Sequence, residues 1–81
     1  MAMSELKQKL LIYELVKLGF PNAAYIPESN MVKTQPGDDR LPIINNEGDI
    51  SYGTEHYDFA VNTVRSIVDN VNEIVGNLEL N

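Results

Sequence analysis

The chain has no cysteine and a single histidine among its 81 residues. Without cysteine there is no disulfide, and no thiolate to hold zinc or iron. Such usage fits a reducing compartment, and a cytoplasmic location is the expectation. With one histidine, the zinc pair His-x-x-x-His is excluded. Long apolar runs are missing too. Leu10-Leu11-Ile12 is far short of the 18 residues a membrane helix needs, and its charged flanks do not suit a signal peptide. Basic residues are few: six Lys and Arg stand against 12 Asp and Glu, for a net charge of −6. The acidity falls mainly on residues 21–53 and 54–81, at −3 and −4, while residues 1–20 carry +1. No basic patch exists, so direct binding to nucleic acid or to an anionic membrane is not expected. The simplest use of the acidity is solubility.

The scarcity extends to catalytic constellations. The only conventional nucleophile–base set is a serine with His56, and none of Ser4, Ser29, Ser51 and Ser66 lies in a Gly-x-Ser-x-Gly elbow. His56 and Asp58 are two residues apart at a helix start and point to different sides. The five glycines are scattered singly, with no phosphate-binding loop among them. Asn45-Asn46-Glu47-Gly48-Asp49 offers oxygen atoms around a glycine, but it lacks the alternating ligand spacing and distal glutamate of a calcium loop. A turn is the better reading. No serine stands between an aspartate and a leucine, which sets the chain apart from acyl carrier proteins. The expectation is a non-enzyme with no cofactor, no metal and no catalytic residue.

What is present is organised around residues 54–75. Tyr57, Val61, Val64, Val68, Val71 and Val75 recur at alternating steps of four and three. Ala60, Ile67 and Ile74 widen the row to an arc of about 140° that contains no charge. Such spacing predicts a helix, with Thr54 as N-cap and Glu55 and Asp58 near its positive end. Its Val, Ile and Asn content makes it a poor helix in isolation, so another surface must cover its apolar face. Gly76 is placed at its end, with residues 77–81 as a tail.

Residues 4–18 predict a first helix, capped by Ser4 and closed by Leu18-Gly19-Phe20-Pro21. Its apolar residues do not form one face. Leu6, Leu10 and Tyr13 share one side; Leu11, Leu15 and Leu18 share the nearly opposite side. Residues 21–40 read as irregular, punctuated by Pro21, Pro27 and Pro36, with Pro36-Gly37 suited to a type II turn. A connection of that length points to short unrecognised strands or to a functional loop. Residues 41–52 predict a β-hairpin around Asn45–Asp49, with Pro42 suggesting an edge strand.

The fold class is therefore α+β: one small domain over 1–81, with two helices (about 4–18 and 54–75), a hairpin (about 41–52) and an irregular segment between. The functional expectation is an acidic interaction or oligomerisation module, of the kind found as accessory proteins of phages and mobile elements. If Leu6, Leu10 and Tyr13 meet the second helix, then Leu11, Leu15 and Leu18 exceed what the hairpin can cover. A homodimer is then favoured, with Leu11, Leu15, Leu18 and Phe59 as its candidate interface. A protein partner of another kind would use the same surface. The first alternative is an acidic inhibitor that mimics nucleic acid and blocks a nucleic-acid-binding protein. The second is a small ligand-binding domain or enzyme using the irregular segment.

Overall fold

The structure, a computed structural model, describes residues 2–38, 41–51 and 58–79. Helix α1 spans Glu5–Leu18. At its start the Ser4 side chain accepts a hydrogen bond from the Lys7 N–H at 3.2 Å. At its end Gly19 adopts φ +123°, and its N–H donates to the Leu15 and Val16 carbonyls. The Phe20 N–H reaches back to the Leu15 carbonyl at 2.9 Å. These bonds form a Schellman closure, as the Leu-Gly-Phe-Pro sequence predicts.

Four short strands follow: β1 (Ala24–Ile26), β2 (Met31–Lys33), β3 (Ile43–Asn45) and β4 (Ile50–Ser51). They form an antiparallel meander in the order β1-β2-β3-β4. Residues 21–40 are thus less irregular than their composition suggests. Three-residue strands show a single step of alternation, too little to register as a pattern. The β1–β2 turn is closed by Asn30 in the left-handed region (φ +56°), a conformation asparagine tolerates. The Asn30 Oδ1 accepts from the Tyr25 hydroxyl and from the Met3 N–H, both at 2.7 Å. The turn therefore also ties down the strand of chain entering α1, where Met3 is buried.

Pro42 does not mark an edge, as the sequence suggested. It sits one residue ahead of β3, which is paired on both sides. The Pro42 carbonyl accepts from both the N–H (3.2 Å) and the hydroxyl (2.8 Å) of buried Thr34. Its missing N–H costs the β2–β3 ladder nothing, because only its carbonyl is used there. Gln35–Asp38 makes the expected turn, with the Asp38 N–H donating to the Gln35 carbonyl and Gly37 at φ +93°.

Helix α2 spans Asp58–Glu79, about 33 Å long at 1.5 Å per residue. The expected start at Thr54, with His56, Tyr57 and Tyr52, lies outside the described residues. The expected end is corrected: the helix runs on through Gly76 for one further turn. Gly76 is not among the positive-φ glycines, so it does not close the helix as Gly19 does. Val75 is buried and holds the preceding turn against the core.

The helices run antiparallel and form one layer over the sheet, with α1 touching β1 and β2 and α2 touching β4. Tyr25, Val32, Ile44 and Ile50 are cross-strand neighbours in one row, on the sheet face that meets the helices. The core joins Val32 and Ile44 to Met3, Leu11 and Leu15 on one side and Val64, Val68, Val71 and Val75 on the other.

Candidate functional site

Locating a site begins with which apolar side chains the core takes. Leu11 and Leu15, expected at an interface, are fully buried within the single chain. This corrects the pairing of faces read from the sequence. The sheet is larger than a lone hairpin, and Val32, Phe20, Ala23 and Tyr25 supply the cover that the hairpin alone could not. Leu18, at the end of α1, remains 39% exposed. The side chain of Phe59 lies outside the described residues.

Turning Leu11 and Leu15 inward turns the other side of α1 outward. Leu6, Tyr13 and Val16 are exposed, with Tyr13 at 60%. Helical spacing puts these three within one arc of about 80°, centred opposite Leu11 and Leu15. Lys9 and Lys17 share the arc. Lys9 pairs with Glu5 at 3.1 Å, and Lys17 lies 3.6 Å from Glu14 with its ammonium 5.0 Å from the Tyr13 ring centre. Glu5, Lys9 and Lys17 are largely solvated, so they keep the stripe wet without covering it, whereas Glu14 is half-buried.

The flank of α2 beside this stripe is apolar as well. At one end of the helix pair, Glu14, Lys17 and Leu18 face Thr63 and Ile67 across a shallow cleft. Ile67, Ile74 and Leu78 recur on that side of α2 at steps of seven and four. Ile74 and Leu78 are exposed, Leu78 at 55%. Every exposed large apolar residue among the described ones is on a helix, and none is on the sheet. Among the described residues, the exposed apolar side chains other than Leu18 thus gather on the outer surface of the helix layer and its flank, away from the sheet.

The opposite flank holds a second feature. The tip of the β3–β4 hairpin is wedged against both helices. The Lys7 Nζ donates to the Asn46 carbonyl at 2.7 Å, and the Arg65 Nη1 donates to the Gly48 carbonyl at 3.0 Å. Gly48 is buried at φ +89°, where a Cβ would lie 3.2 Å from the Asn72 Nδ2 and 3.3 Å from the Val68 Cγ1. A cleft of about 360 Å³ opens beside the tip, lined by Ser4, Lys7, Asn46, Asn72 and Val75 among others. Its polar groups serve the fold: Ser4 caps α1, and Lys7 straps the hairpin. The loop forms the expected turn. The Asn45 Oδ1 accepts from the Glu47 and Asp49 N–H groups at 3.0 and 2.8 Å, so it faces the backbone. Sequence reasoning gave Lys7 and Arg65 no role, because their partners are main-chain carbonyls 39 and 17 residues away.

Among the described residues, no group of three acidic, histidine or cysteine side chains is placed to hold a metal ion. No helix among them is long and apolar enough to cross a membrane. His56 lies outside them. No family model, no curated protein and no solved structure matches this chain.

Proposed function

We propose that this chain is a non-enzymatic protein-interaction module that meets its protein partner through the outer face of its helix layer. The observation that carries the reading is the segregation of exposed apolar surface. Leu6, Tyr13 and Val16, with Ile74 and Leu78 on the adjoining flank, together leave on the order of several hundred Å² in water, the size of the largest apolar patch on a typical monomer, which is often functional. The carboxylates do not favour the nucleic-acid mimic. Glu5 and Glu14 each sit beside a lysine, and on α2 the exposed Asp69 and Glu73 alternate with Asn62, Asn70 and Asn72.

Photo-cross-linking in cells tests this reading. A benzophenone amino acid replacing Tyr13 should give a discrete adduct, while the same group replacing Asp69, on the acidic side of α2, gives none. No adduct at Tyr13, or equal adducts at both positions, counts against the module.

A further inference from the structure

Helix α1 carries a pattern that matches itself when reversed. Its exposed stripe reads Glu5, Leu6, Lys9, Tyr13, Val16, Lys17. Set antiparallel against a second copy and centred on the turn at Leu11, it places Leu6 against Val16, Lys9 against Tyr13 and Glu5 against Lys17. Each match is chemically apt. The first is apolar on apolar, the second sets an ammonium over an aromatic ring, and the third pairs opposite charges. Tyr13 is 60% exposed, and its ring already takes the ammonium of Lys17 in its own chain.

We infer that the occupant of the helix face is a second copy of this chain, docked by antiparallel α1–α1 contact across a two-fold axis in this register. The inference rests on the interaction-module reading and names its partner. A two-fold axis makes each unlike pair occur twice, which is how a self-complementary stripe gains from symmetry. Parallel packing would instead oppose Lys9 to Lys9 and Lys17 to Lys17.

The area argues for weak association. A stable interface takes about 800 Å² from each partner. A 14-residue helix is about 21 Å long, and its outer face falls short of that even with Ile74 and Leu78 at its flank. Association is therefore sought at high protein concentration.

The absence of native cysteine makes the register measurable, because introduced thiols have no competitors. In the double variant Leu6→Cys/Val16→Cys, each thiol at position 6 meets a thiol at position 16 of the other copy. Treatment with the thiol oxidant diamide near 100 µM protein should yield a linked dimer at least ten times faster than for either single variant. The singles are poor linkers because equivalent positions lie about 15 Å apart in this register, as do positions 6 and 16 within one helix. All three side chains replaced, here and at Tyr13, are exposed, and circular dichroism confirms folding under reductant. Glu5→Lys should weaken sedimentation-measured association about threefold, and Lys17→Glu added to it should restore the affinity.

Equal linking by the single variants overturns the register, as does no linking by the double. The in-cell adduct at Tyr13 separates this inference from the reading beneath it. An adduct at twice the 9.1 kDa chain mass supports the second copy. A discrete adduct of any other mass overturns the second copy and leaves the module standing. No adduct removes both.

Discussion

The two helices reach the same layer by different means. In α2 the apolar residues other than Phe59 keep to one arc, and the structure buries the Val64, Val68, Val71 and Val75 row that the spacing marks. In α1 they are spread around the axis, and neither side declares itself as the inner one. The sheet decides: once β1 and β2 are in place, Leu11 and Leu15 have the better cover. The cost to α1 is a set of apolar side chains left in water; among the described residues α2 leaves Ile74 and Leu78. A helix with more apolar residues than its core can take has surplus surface, and that surplus is where association begins.

The contrast within α1 can be broken at its strongest point. Leu15→Asp puts a carboxylate at a position with no solvent access. The loss should exceed 5 kcal/mol, comparable to the whole stability of a domain this small, and the chain should be unfolded by circular dichroism. Tyr13→Asp, two residues away on the outer side, should fold with a stability within about 1 kcal/mol of the native chain. A folded Leu15→Asp protein would mean the buried face is wrongly assigned.

A smaller effect is expected where the sheet meets α2. Gly48→Ala strains a left-handed backbone and presses a methyl group into Val68 and Asn72. The expected loss is about 2–3 kcal/mol in urea unfolding. Arg65→Ala should cost less, about 1 kcal/mol, because it removes one partly exposed hydrogen bond to the Gly48 carbonyl. Reversal of that order would show that the hairpin is held by its straps rather than by its packing.

These positions also show how much was legible in advance. Both helices, the α+β class, the Schellman closure at Gly19 and the turn at Pro36-Gly37 follow from local spacing and turn chemistry. The strands β1 and β2 do not, since three residues carry almost no periodic signal. The choice between the two faces of α1 was not legible either, because it depends on those unseen strands. The candidate interface inherited the error. Leu11 and Leu15 are surplus only if the sheet is a lone hairpin. The apolar stripe of Leu6 and Tyr13 is visible in the sequence, but without β1 and β2 its place is the interior.

The smallest effect separates the ends of the two helices. Gly19 and Gly76 both follow a helical run, and neither has a heavy atom within 4 Å of where a Cβ would be. Space therefore does not distinguish them; backbone does. Gly19 is at φ +123°, a conformation L-residues rarely adopt, so Gly19→Ala should destabilise by about 1–2 kcal/mol. Gly76 is inside α2, where alanine is favoured by up to about 1 kcal/mol because it loses less chain entropy on folding. Gly76→Ala should then stabilise, raising the melting temperature by roughly 3–6 °C in a domain of this length. The two substitutions are chemically identical, so opposite signs isolate the conformational term. If Gly76→Ala instead lowers the melting temperature, α2 ends near Val75 as the sequence suggested, and Leu78 leaves the helical flank on which the outer apolar face depends.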